Sequence, residues 1–127
     1  MRFTLFIAFC ICALSISAQS NTNLKIANKY ANSKQCDKAN EIYQTLETKV
    51  NILSYYSNYL KCLTAEKKYI SAIAMVKKVK KKYPNQAKYI ADLGFIYKAK
   101  GDKIRAEKEF QKSIDALESG RTNQVTS

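Results

Sequence analysis

The chain has 127 residues, 22 Lys and Arg against 10 Asp and Glu, a net charge of +12, and neither histidine nor tryptophan. That length provides one domain with a single core. The lack of histidine excludes Ser-His and Cys-His catalytic pairs, and three scattered glycines exclude a phosphate-cradling loop. Carboxylates such as Glu107 and Glu109 sit among lysines, which reads as ion pairing on a helix surface rather than acid–base chemistry. No enzymatic activity and no cofactor are therefore expected.

The first element is a leader. Met1-Arg2 precedes Phe3 to Ile16, which is apolar apart from Thr4 and Ser15, and the small residues of Ser15-Ile16-Ser17-Ala18 lead into a polar segment. A positive start, a short apolar stretch and a small-residue exit describe a secretory signal peptide, residues 1–18, cleaved near Ala18. The stretch is shorter than the roughly 20 residues that span a bilayer. The expected destination is periplasmic or extracellular. Removing it takes away Arg2, its one charged residue, and the charge falls from +12 to +11. Cys10 and Cys12 leave with it, so Cys36 and Cys62 remain.

Helical hairpins follow. Ala39, Ala72 and Ala106 stand 33 and 34 residues apart, and their surroundings align in columns. Ahead of each alanine lies a stripe at helical spacing: Asn23, Ile26, Ala27 and Tyr30; then Tyr56, Tyr59, Leu60 and Leu63; then Ile90, Leu93, Gly94 and Tyr97. After each comes a large residue (Tyr43, Val76, Phe110), then Leu46, Val79 and Ser113 with Ile114 beside it. Each repeat thus reads as two antiparallel helices crossing at a small residue. Repeats of about 20–52, 53–86 and 87–120 are expected within a domain of residues 19–120. Gly101-Asp102 supplies a helix stop followed by an N-cap, and Pro84 blocks continuation after Tyr83. The turns near Ser33-Lys34-Gln35 and Glu66-Lys67-Lys68 lack glycine. Periodicity of this length marks stacked hairpins, about three of which are needed for stability. The polar tail 121–127 is too short to make a good solvating helix, so Ile114 and Leu117 should be partly exposed and offer a route to self-association.

Leu93-Gly94, Tyr97, Gly101, Ala106 and Phe110 resemble the tetratricopeptide repeat signature. Tyr59-Leu60, Tyr69, Ala72 and Pro84 resemble it less closely, and the first repeat diverges most. The resemblance covers roughly residues 20–120. It implies an all-α fold, an α-solenoid of three helical hairpins, whose first helices line a concave groove for a peptide. The matching groove positions include Lys25, Asn28, Asn58, Lys61, Lys88, Phe95 and Lys98. Lysines and amides there suit an acidic or carboxylate-bearing segment. Some family members clamp a C-terminal carboxylate. Asn28, Asn58 and Lys88 match that clamp, but Leu24 and Asp92 stand where it wants basic residues, which breaks it.

Cys36 aligns with Tyr69 and Lys103, and Cys62 with Ile96 and Lys29. Both columns turn charged where a neighbouring repeat is missing, which places Cys36 and Cys62 in one inter-repeat contact. A disulfide between them is expected, with a pair of buried free thiols as the alternative. Metal binding does not, because two cysteines without histidine fall short of the usual four zinc ligands. Lys77, Lys78, Lys80, Lys81 and Lys82 form the densest charge run, on the second helix of the middle repeat. Lysine without accompanying arginine or aromatic interleaving argues against nucleic acid. The function expected is an exported protein-protein interaction scaffold that binds a peptide or partner protein through its concave face. The alternative is a basic surface-binding protein for anionic envelope polymer or lipid.

Overall fold

A computed structural model describes the backbone of residues 2–125 and the side chains of residues 16–121. The fold is all-helical: α1 (Arg2–Asn32), α2 (Cys36–Leu46), a 3-10 turn (Ile52–Ser54), α3 (Tyr56–Ala65), α4 (Tyr69–Lys82), α5 (Ala87–Lys100) and α6 (Lys103–Val125). No strand occurs among the described residues. Two compact units divide between Cys62 and Leu63, inside α3.

In the N-terminal unit α1 packs against α2. The buried stripe of α2 is Cys36, Ala39, Asn40, Tyr43 and Leu46, the three- and four-residue spacing of one helix face. Ala27, fully buried on α1, has the small side chain that lets two helices approach. Ile26, expected on the packed stripe, is instead 41% exposed, and Tyr30 is half-buried. Only part of the α1 stripe is therefore core. α1 runs as one helix across the expected cleavage point. The side chains of the leader up to Ser15 lie outside the described residues.

In the C-terminal unit α4 packs against α5, and α5 against α6. Ala72, Met75, Val76 and Val79 of α4 and Ile90, Leu93, Gly94, Ile96 and Tyr97 of α5 are buried. Gly94 lies under Phe110 of α6: a Cβ added there would sit 2.6 Å from the ring. α4 stops at Lys82 before Tyr83-Pro84, as a proline there requires. The Asp102 carboxylate accepts the Arg105 N–H at 3.1 Å and caps the start of α6. α6 continues through Gly120 and the polar residues expected to form a tail, to Val125; Thr126 and Ser127 lie outside the described residues. Ile114 and Leu117 are exposed, 48% and 57%.

One turn recurs three times. Lys34, Lys67 and Gly101 have φ of 62°, 56° and 90°. They follow α1, α3 and α5 at intervals of 33 and 34 residues, the register of the alanines. At each, two N–H groups return to the preceding helix. Gln35 reaches the Tyr30 carbonyl at 2.9 Å, Lys68 reaches Leu63 at 2.8 Å, and Asp102 reaches Tyr97 at 2.9 Å. Lys34, Lys67 and Gly101 reach Ala31, Thr64 and Lys98. This left-handed closure satisfies the last helical carbonyls.

Candidate functional site

Four of the groove candidates lie in the N-terminal unit. Asn28 on α1 and Asn58 on α3 are brought together. The Asn28 Oδ1 accepts the Tyr43 hydroxyl at 2.7 Å and the Asn58 amide at 3.1 Å. An amide expected to meet a ligand is thus held by two internal donors, which fixes its position. Lys25 lies three residues before Asn28 and Lys61 three residues after Asn58, and both side chains are exposed. The result is an ordered amide pair with an exposed ammonium group one helical step from each member.

Beneath this pair the tyrosines form a cluster whose extent the sequence columns did not reveal. Tyr43 stacks on Tyr55 at 5.4 Å and tilts against Tyr59 at 5.0 Å, all three essentially without solvent exposure. The Tyr59 hydroxyl donates to Glu47 at 3.3 Å. Burial pushes Tyr43 up to about 12, an effect partly offset by the Asn58 amide. Burial and then the Glu47 charge push Tyr55 up to about 12. The same causes raise Tyr59 further. Neither the Asn40 side chain, fully buried on α2, nor the Tyr55 hydroxyl has a hydrogen-bond partner among the described residues. Nothing in the sequence singles out Asn40, whose column also holds Ile73 and Glu107.

Cys36 and Cys62 are joined by a disulfide, with Cα atoms 4.8 Å apart. It fastens the first residue of α2 to α3 within the N-terminal unit. Lys29 and Lys103, which share those columns, are exposed. A disulfide suggests a non-reducing compartment. A cavity of about 400 Å³ lies between α1 and residues 48–50, lined by Ile16, Ser17, Ser20 and Val50 among others. Ile16 and Ser17 belong to the expected leader, so cleavage after Ala18 would remove one wall.

The remaining groove candidates lie on α5 in the C-terminal unit. Lys88 pairs with Asp92 at 2.9 Å and lies over the Tyr89 ring at 5.3 Å. Asp92 therefore offsets the one cation that the clamp pattern had left on α5. Phe95 is 60% exposed and meets Phe110 edge-on at 5.1 Å. Lys98 is exposed. Of the basic run on α4, Lys77, Lys78, Lys81 and Lys82 are exposed, whereas Lys80 turns toward α6 and lies 3.8 Å from Glu109. That contact is an ion pair rather than a hydrogen bond; the other Glu109 oxygen holds Lys112 at 2.8 Å.

Among the described residues no three His, Cys, Asp or Glu side chains group to hold a metal, and no helix is long and apolar enough to cross a membrane. No family model matches the chain, and no curated protein matches its sequence.

Proposed function

We propose that the chain is an exported, non-enzymatic protein-protein interaction module. On this reading, three tetratricopeptide-like hairpins stack as an α-solenoid, and the concave face made by their first helices holds an acidic peptide segment of a partner protein. The observation that carries the reading is the recurrent turn at Lys34, Lys67 and Gly101, whose backbone repeats at the interval of the sequence columns. Three different residue contexts adopting one closure at one interval favour a true repeat over incidental helical packing. The peptide assignment is supported by the ordered Asn28–Asn58 pair with exposed Lys25 and Lys61 beside it. Amides fixed in this way suit main-chain contacts, and flanking ammonium groups suit carboxylates. Export is supported by the disulfide and by the leader pattern of residues 1–18.

Crosslinking in the native host, followed by mass spectrometry of captured proteins, tests this. One defined partner should crosslink to α1 or α3, survive moderate salt and be lost from a Lys25→Glu/Lys61→Glu chain that remains folded. Crosslinks scattered over many proteins, or capture indifferent to the double substitution, would overturn the assignment.

A further inference from the structure

We propose that the solvent face of α4 is a docking surface for a bilayer containing anionic phospholipid. This goes beyond the peptide-binding reading and uses none of its residues. α4 buries Ala72, Met75, Val76 and Val79 along one side. The opposite side, in steps of three and four, carries Ile70, Ala74, Lys77, Lys78 and Lys81, all exposed, and Lys82 is exposed at the helix end. From Lys67 to Ala91 the chain has no acidic residue. Lys77, Lys78 and Lys81 have no acidic partner among the described residues, in contrast to Lys80, which is drawn to Glu109. Complementing the helix C-terminus accounts for lysines in the last turn. It does not account for Lys77 and Lys78 a turn earlier.

The chemistry of this face selects its partner. Lysine is a point charge that senses charge density rather than planar geometry, so a surface of many anionic headgroups suits it. Ile70 decides between a lipid surface and a hydrophilic polymer. It is 80% exposed on the same side of the same helix, about 10 Å along the axis from Lys77. A helix lying along a bilayer places such a residue at the headgroup–acyl boundary while the lysines stay among the phosphates. A soluble polyanion offers no apolar region to receive it.

Co-sedimentation of the full chain tests this, with vesicles of phosphatidylcholine alone and with a quarter of the lipid replaced by phosphatidylglycerol. The native chain should bind the charged vesicles more tightly and release as salt rises. The variant K77Q/K78Q/K81Q/K82Q should bind the charged vesicles at least about tenfold more weakly. Ile70→Ser should weaken vesicle binding severalfold and leave binding to soluble dextran sulfate unchanged. All variants share the apolar N-terminal stretch, so any binding it adds is common to them. All the substituted residues are exposed, and circular dichroism checks that each variant is folded. Equal binding to both vesicle types, or an unchanged quadruple variant, overturns the proposal. Vesicle binding indifferent to Ile70→Ser overturns it in favour of a polyanion site. Loss of vesicle binding in the Lys25→Glu/Lys61→Glu chain would also overturn it, by placing the surface on the N-terminal unit, whereas loss of partner capture alone would fault only the peptide reading.

Discussion

Lys34 and Lys67 adopt a left-handed backbone that an L side chain resists, at positions matching Gly101. Their strain is offset by the paired N–H bonds that close α1 and α3. Lys34→Gly and Lys67→Gly should therefore each stabilise the chain by about 0.5–1 kcal/mol, and Gly101→Ala should destabilise it by about 1 kcal/mol. Urea midpoints at constant slope measure both; a loss on either Lys→Gly change would mean the lysine side chain contributes more than its backbone costs. Asn40 poses the reverse case. Both its amide atoms are buried without a partner among the described residues, and the aligned position on α4 holds the aliphatic Ile73. Asn40→Leu keeps the number and branching of the side-chain heavy atoms and removes the desolvation penalty, so stability should rise by about 1–2 kcal/mol. If stability falls instead, the amide is bonded to buried water and the unsatisfied reading is wrong.

Between α5 and α6 the close approach rests on Gly94. Gly94→Ala drives a methyl group into the Phe110 ring, which is already held edge-on by Phe95, so a loss of about 1–3 kcal/mol is expected. Combining it with Phe110→Leu should recover part of that loss; strict additivity in the double-mutant cycle would refute the clash. A crossing of these helices was legible in the sequence because Ala39, Ala72 and Ala106 recur with large neighbours in fixed columns, but the columns placed the small residue at Ala106 and did not pair Gly94 with Phe110. The turns at Lys34 and Lys67 were legible in place but not in conformation, since packing of the flanking helices imposes a left-handed backbone that lysine does not itself prefer. The Asn28–Asn58 contact was half legible: spacing put both amides on first helices, but could not tell that they bond to each other. Nor did composition foretell that α6 would run through Gly120, because one glycine lowers helix propensity without forbidding the helix. The tyrosine cluster adds a test by pH. Burial raises Tyr43 and Tyr55 to about 12 from an ordinary value of 10.0, so the folded state keeps protons that the unfolded state sheds. Their contribution to stability is fully present below pH 10.0 and is lost as pH rises toward about 12. Tyrosinate absorbance should accordingly show a late set of tyrosines that ionise only as far-ultraviolet circular dichroism collapses. Smooth ionisation of all nine with the helices intact would contradict their burial.

At the scale of the whole molecule, the disulfide lies wholly within one of two compact units. It closes a loop of sequence separation 26 that contains most of α2, the 3-10 turn and most of α3. Constraining such a loop in the unfolded chain contributes on the order of 3 kcal/mol. For a domain with a stability of roughly 5–15 kcal/mol, that is a large share, and it joins the start of α2 to α3. Replacing both cysteines by alanine avoids leaving a polar group in the buried position of Cys62. Amide hydrogen exchange of the Cys36→Ala/Cys62→Ala chain should then lose protection over residues 27–62 while Val76, Leu93 and Ile96, which lie outside the crosslinked unit, keep theirs. Reduction of the native chain should reproduce the pattern. An equal loss of protection in both units would show that the chain unfolds as one cooperative body, with the disulfide stabilising both halves alike. Retained protection everywhere would show that the Tyr43–Tyr55–Tyr59 cluster, rather than the crosslink, holds the N-terminal unit together.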